Sequence, residues 1–241
     1  MTDPKSTSAT AIRRRLSPIE RERQIVDGAM VFFSEHGLDG QLRDLALQLG
    51  ITHTLLYHYF PTKSALIERV YTEMFANRWK PEWEKLLDSR SLSTETKLTR
   101  FYVEYAAMVQ EQKWVRIFMF SGLSDRYITD RYFSMLREKL FPRLIRETRK
   151  YAGVASRSRP SAREMELLLG LHGSIFYMGI RRWVYGQDLQ QTAVVDVQAE
   201  QPDEQYIHDR VLAYLLSAGP VLATTPLINS THSQTEKDTG P

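Results

Sequence analysis

The sequence contains no cysteine, which excludes disulfide bonds and thiolate metal sites and fits a reducing compartment. It has no apolar run long enough to cross a bilayer, because the longest, residues 167–180, is interrupted by His172. The N-terminal segment has arginines but lacks the apolar stretch of a secretory signal. We therefore expect a cytoplasmic protein with no membrane partner.

The sequence also lacks a strong excess of positive or of negative charge. The 32 Lys and Arg against 29 Asp and Glu give a formal net charge of +3, which permits nucleic-acid binding without requiring it. Residues 1–63 carry eight basic and seven acidic side chains, so DNA binding there would depend on a few placed residues. Residues 126–163 carry eleven basic and three acidic side chains. A solvated helix face explains that excess, and attraction of an anionic effector or of flanking DNA is the alternative.

Motifs for catalysis and cofactor binding are also missing. The sequence has no nucleophile elbow, P-loop or glycine-rich dinucleotide fingerprint. His53 and His58 are five residues apart and do not share a helix face, and no acidic partner is spaced for zinc. We expect no catalytic residues, no metal and no cofactor.

The periodicity of the chain is helical, and no alternating strand pattern of any length occurs. This predicts an all-α fold with a first helix from Ser17 to Gly37 and a fourth that begins near Thr62 and runs toward Trp79. Further helices are predicted at about 94–111, 113–124, 128–152, 161–186 and 203–218. The domain boundaries follow: a disordered basic arm at 1–18, a head at 19–64, a helical domain at 65–223 and a disordered tail at 224–241.

Residues 42–63 have the pattern of a helix-turn-helix. Gly50 ends the first short helix, Thr52 can cap the second through its hydroxyl, and Pro61 stops it. The apolar positions of the first helix are Leu42, Leu45, Ala46 and Leu49. The inner face of the second helix carries Leu56, Tyr59 and Phe60. Because so short a helix is unstable alone, its inner face must be held while the outer face is free for the DNA major groove.

About residues 20–75 resemble the N-terminal domain of TetR-family transcriptional regulators. The motifs that carry the resemblance are Ile25 to Phe33, Gly37, Arg43 to Ala46, Leu49 to Thr52, Leu56-Tyr57, Tyr59 to Pro61 and Lys63. The family commonly has a Thr/Ser pair at the start of the second helix, where this chain has Gly40-Gln41. The resemblance implies a ligand-responsive homodimeric repressor. Its expected partners are a palindromic double-stranded DNA operator, a small-molecule effector and a second copy of the chain.

The candidate DNA-binding residues are Arg43, Thr52, His53, Thr54, Leu55, Tyr57, His58 and Lys63. Arg43 can bind guanine in bidentate fashion or form a surface ion pair. His53, Thr54 and Leu55 are at the start of the recognition helix, where side chains can contact base edges. Contact with DNA would also explain an apolar Leu55 on the outer face of the helix. Lys63 opposes the helix dipole in the first turn of its helix, which favours an external anion over simple solvation. The arginines at 13–15 can enter a minor groove or belong to a tail that contacts nothing.

The second domain contributes two further sets of candidates. The effector-binding candidates are Tyr102, Tyr105, Trp114, Phe118, His172, Phe176 and Tyr177, which at helical spacing can equally be core. The dimerisation candidates are Gly170, Gly173, Ser174, Ile207, Val211, Tyr214 and Leu215, whose alternative is packing within one chain. Small residues on one helix face allow a neighbouring helix to approach closely, and the last two helices resemble those through which the family dimerises.

Two other functions fit the same pattern. One is a helical small-molecule-binding or enzymatic protein whose helix-turn-helix is only structural. The other is a protein–protein adaptor that docks partners on the outer face of residues 53–58.

Overall fold

The computed structural model describes residues 16–187 and 202–223, in which helices are joined by turns and loops and no strand occurs. The all-α prediction is therefore confirmed for this part of the chain. The helices are α1 Pro18–His36, α2 Leu42–Gln48, α3 His53–Tyr59, α4 Lys63–Met74, α5 Pro81–Asp88, α6 Thr94–Val109, α7 Gln112–Leu123, α8 Tyr127–Met135, α9 Phe141–Tyr151, α10 Ala162–Trp183 and α11 Pro202–Ala223. Residues 1–15 of the predicted arm, which include its arginines, and the predicted tail at 224–241 lie outside the described residues.

The ends of α1 lie where the local sequence predicts them. Ser17 and Glu20 form a reciprocal capping box that satisfies two free backbone N–H groups at the helix start. Gly37 ends the helix with φ at 78°, a conformation that side-chain-bearing residues rarely adopt. These caps fix the first helix of the head, whose inner side supplies Ile25, Val26, Ala29 and Phe33 to the core.

Two helix boundaries differ from the prediction because of prolines. Pro81, which was expected only to interrupt the pattern after α4, is the first residue of α5. A proline is tolerated there because the first N–H groups of a helix have no partner within the helix. The predicted helix at 128–152 is divided by a π-helical segment, Leu136–Leu140. Pro142 cannot donate to the carbonyl four residues earlier and its ring would clash there, so the backbone widens before α9. Helix α11 also continues past the predicted end at 218 to Ala223, with Pro220 inside it.

The head is fastened to the second domain through α7, and α8 holds the helix that follows the head. On α7, Arg116 Nε donates to the carbonyl of Ser34 at the end of α1, at 2.5 Å, and the Phe120 ring packs on Gly37. On α8, Arg131 and the Tyr127 hydroxyl both donate to the Glu68 carboxylate of α4. Helix α7 therefore holds α1 of the head to the second domain, and α8 holds α4, which comes directly after the head in the chain.

None of the helices in the described ranges combines the length and apolar character that a membrane span requires.

Candidate nucleic-acid interface

The position of α3 is fixed at both ends and along one side. The Thr52 hydroxyl accepts a hydrogen bond from the backbone N–H of Leu55 at 3.1 Å, which caps the helix start. Phe60 has extended backbone angles, as expected for a residue that precedes a proline. Leu56 and Phe60 are buried and Tyr59 is half-buried, so the inner face predicted for this helix is confirmed.

The opposite side of α3 is open to solvent. His53, Thr54, Tyr57 and His58 are exposed. The rings of His53 and Tyr57 lie 4.5 Å apart, one turn from each other, which orders the surface they form. Leu55 is half-buried rather than fully exposed, because it lies at the boundary between the packed and the open face. A seven-residue helix therefore presents an ordered, uncovered face.

The two predicted cations flank this helix in different ways. Arg43 is exposed on α2 and forms no salt bridge with any described residue. Lys63 is the first residue of α4 and is half-buried, and that first turn contains no acidic residue. The Thr62 hydroxyl caps α4 through the N–H of Ala65 at 3.0 Å. Lys63 thus lies beside a cluster of free backbone N–H groups, where an external anion is favoured.

The start of α2 differs from the capped starts of α1, α3 and α4. Its N-cap residue, Gln41, makes no side-chain cap hydrogen bond. With Gly40-Gln41 at this position, the start of α2 has no side-chain cap.

Leu47 on α2 is a candidate that the sequence reasoning missed. Its side chain is 79% exposed, and it lies four residues after Arg43 on the same helical face. The sequence could have shown this, because Leu47 lies outside the apolar stripe formed by Leu42, Leu45 and Leu49 and is therefore expected to face solvent. An apolar side chain beside an exposed arginine suits contact with a thymine methyl group.

Comparison with known proteins supports the same interpretation of the head. The profile of the family described as "Bacterial regulatory proteins, tetR family" matches residues 25–70, which cover most of α1 and all of α2 and α3. Residues 25–70 therefore form a TetR-family DNA-binding domain. The DNA-binding function predicted from the helix-turn-helix is thereby confirmed.

Solved structures show a similar fold well beyond this domain, over most of the chain. A TetR-like transcriptional regulator from Rhodococcus sp. RHA1 is 16% identical, with a TM-score of 0.60 over 84% of this chain and 99% of that one. A TetR-family regulator from Streptomyces coelicolor is 17% identical, with a TM-score of 0.56 over 88% and 92%. A ketosteroid transcriptional regulator of Mycobacterium tuberculosis is 16% identical, with a TM-score of 0.53 over 85% and 96%. No curated protein sequence matches the chain.

In the second domain, six of the seven predicted effector residues join one aromatic cluster. We define the aromatic cluster as Tyr102, Tyr105, Trp114, Phe118, Tyr132, Phe141, His172 and Phe176. Its rings are in mutual contact, with Trp114 stacked on Phe118 at 4.7 Å. Tyr132 and Phe141 were not predicted, although Ile128, Tyr132 and Leu136 form an apolar stripe at helical spacing. Tyr177 does not belong to the cluster: it is 48% exposed on α10 and its ring contacts Tyr185.

The predicted dimerisation residues divide into two groups. Gly170 and Gly173 are exposed on α10, Ser174 is half-buried beside them, and a Cβ built on either glycine would meet nothing within 4 Å. The four residues of α11, Ile207, Val211, Tyr214 and Leu215, are buried within their own chain. Their assignment to a dimer surface was wrong, because the apolar stripe of α11 packs on α6 and α10. The outer face of α11 carries Leu216 instead, 61% exposed.

Three arginines of the basic stretch at 126–163 form ion pairs between helices. Arg143 pairs with Glu84 at 2.6 Å, Arg146 pairs with Asp88, and Arg149 pairs with Glu164. These arginines join α9 to α5 and α10. At these three positions the positive charge therefore joins helices and is not part of a free basic patch.

Proposed function

We propose that this regulator is a homodimeric, ligand-responsive repressor that binds a palindromic DNA operator through α3. The observation that carries the proposal is the contrast between the two sides of that helix. Leu56 and Phe60 are buried while Thr54 and His58 are open to solvent. A helix of seven residues has no other evident reason to be held so firmly with one face free.

The proposed contacts divide by chemistry. His53, Thr54 and Leu55 at the start of α3 read base edges, and Arg43 on α2 adds a bidentate contact to guanine. Thr52, Tyr57, His58 and Lys63 bind phosphate oxygens. The Thr52 hydroxyl accepts from Leu55 N–H, so its own proton remains available for a phosphate.

The proposed dimer forms through the outer faces of α10 and α11. Gly170, Gly173 and Ser174 leave space for a second helix, and Tyr177 and Leu216 supply apolar surface on the same two helices. Two heads related by a two-fold axis would read half-sites about one helical turn apart, roughly 34 to 36 Å.

An effector bound in the aromatic cluster would act through α7 and α8. Trp114 and Phe118 lie on α7, which also contacts α1, and Tyr132 lies on α8, which contacts α4. An effector that prefers a dimer with wrongly spaced heads would lower DNA affinity by its differential binding. Transcriptional repression requires access to the chromosome, so we propose a cytoplasmic location.

The proposal is tested by fluorescence anisotropy with DNA from upstream of the protein's own gene and a random duplex of equal length. We expect tighter binding of the upstream DNA and a steep loss of affinity with salt for both duplexes. Equal affinity for the two duplexes, or binding that ignores salt, would contradict it. Absence of DNA binding would favour the protein–protein adaptor described above. If the protein also turned over a substrate, the enzymatic alternative would be favoured instead.

A further inference from the structure

Three polar atoms of the aromatic cluster are buried without a hydrogen-bond partner among the described residues. They are Tyr102 Oη, Trp114 Nε1 and His172 Nδ1. Their side chains are at most 6% exposed. An unpaired buried polar group destabilises a fold, and native interiors rarely contain one. A molecule bound against this cluster would supply partners for all three atoms.

These atoms lie toward two ends of the cluster. The Tyr102 and His172 rings are neighbours, with centroids 6.1 Å apart. Two tyrosines lie between these rings and Trp114. Tyr105 Oη is 3.0 Å from His172 Nε2 and 2.7 Å from Tyr132 Oη. The Tyr132 ring in turn contacts the Trp114 ring. One ligand that satisfies both ends must therefore be elongated.

The cluster is uncharged. Burial lowers the pKa of His172 to about 4, so the imidazole is neutral near pH 7, and burial raises the pKa of Tyr102 well above its usual value. Among the described residues, the buried charged side chains are Lys97, Glu147 and Arg149, and each already forms an ion pair. An ionised ligand would therefore find no free counter-charge, at a high cost in desolvation.

The hydrogen-bonding chemistry differs between the two ends. The indole N–H of Trp114 can only donate, so the ligand must present an acceptor there. A phenol hydroxyl and a neutral imidazole can both accept and donate, so a ligand hydroxyl suits Tyr102 and His172. At the surface, Phe133 and Phe176 are half-buried and both contact Phe118, which offers a route of entry.

We propose that the effector is an elongated, uncharged ring compound with a carbonyl oxygen at the Trp114 end and a hydroxyl at the Tyr102 and His172 end. This inference rests on the ligand-responsive function proposed above. The rings of the aromatic cluster favour a ligand with a flat, apolar skeleton.

A first test uses two buried tyrosines of the same cluster. Tyr102→Phe removes an unpaired hydroxyl, so it should raise the melting temperature of the ligand-free protein by about 2 °C. Tyr132→Phe removes a hydroxyl bonded to Tyr105 and should lower that temperature by a similar amount. A lower melting temperature for Tyr102→Phe would show that its hydroxyl is already satisfied and would overturn the proposal.

A second test compares two probes by titration calorimetry at pH 7. The probes are 6-acetyl-2-naphthol and 6-hydroxy-2-naphthoate, which share a ring system and a hydroxyl and differ in carrying a ketone or a carboxylate. We expect the ketone to bind at least ~10-fold more tightly and Trp114→Phe to lose ~10-fold of that affinity. Trp183→Phe is the control, since the Trp183 indole already donates to the carbonyl of Gln110 at 2.7 Å.

The outcomes separate the two proposals. If the protein binds the upstream DNA but prefers the carboxylate, or binds neither probe, the effector class is wrong and the regulator stands. If it binds no DNA, the proposed function itself fails, whatever the probes do.

Discussion

Lys97 is the most deeply buried charge in the described part of the chain, with 1% of its side chain exposed. Its ammonium lies 2.8 Å from a Glu147 oxygen and 3.3 Å from the carbonyl of Leu87. Thr94 donates to the same Glu147 oxygen. These contacts join α5, α6 and α9 through groups that were costly to remove from water.

Breaking that pair on one side should be strongly destabilising. Lys97→Met leaves Glu147 buried without its partner, so we expect a loss of roughly 3 to 5 kcal/mol in the free energy of unfolding, measured by urea denaturation. The double variant Lys97→Met/Glu147→Met should recover most of the loss. A single variant within about 1 kcal/mol of the wild type would contradict a compensated buried pair.

The two cations of the head should differ in what they contribute to DNA binding. Arg43→Ala should reduce discrimination between the correct and a mutated half-site by about 1 to 3 kcal/mol. Lys63→Ala should weaken binding to all sequences and lower the salt slope by about one unit. Both are measured by anisotropy over a range of salt concentrations. Equal effects of the two variants on specific and random DNA would contradict this division.

At the scale of elements, α9 is held to the start of α10 by Arg149 and Glu164. Arg149 Nη2 donates to Glu164 at 2.7 Å, and the same carboxylate accepts from the Ser161 backbone N–H at 2.8 Å. These donors lower the pKa of Glu164 from its usual 4.5 to about 2, with Arg149 the larger cause. The carboxylate therefore stabilises the fold above pH 4.5, and this contribution is lost as the pH falls from about 4.5 to 2.

Glu164→Gln should therefore be less stable than the wild type by roughly 2 to 3 kcal/mol at pH 7, with the difference shrinking toward pH 2. Gln retains the capacity to cap α10, so the change isolates the charge. Urea unfolding at several pH values measures it, and Glu166→Gln, an exposed residue of the same helix, controls for loss of a negative charge. A difference that stays constant over this pH range would contradict the assignment.

Local sequence patterns predicted the structure of the head better than that of the second domain. Caps at Ser17, Thr52 and Thr62 act through hydrogen bonds to residues three positions away, so the sequence alone could predict them. The apolar stripe of α11 was also visible, but periodicity does not say whether its partner is the same chain or another. The helix predicted at 128–152 contains Pro142, and the sequence does not say whether a proline there ends the helix or widens it. Packing between distant segments decides both cases.

For the whole molecule, the proposed dimer surface makes a prediction that differs from a loss of folding. Leu216→Arg places a charge on the exposed face of α11, so it should convert the dimer to a monomer in sedimentation velocity and weaken binding to palindromic DNA. Leu123→Arg, on an 82% exposed residue of α7, is the control and should leave the dimer intact. Unchanged sedimentation of Leu216→Arg would place the dimer interface elsewhere.

The fastening of α7 to the end of α1 limits how freely each head can turn. Arg116 and Phe120 hold Ser34 and Gly37, a few residues before α2. One extra base pair in the spacer between half-sites moves the second half-site along the duplex and rotates it by about 34°. A tethered head cannot follow that rotation without losing these contacts, so the regulator should tolerate little variation in spacer length.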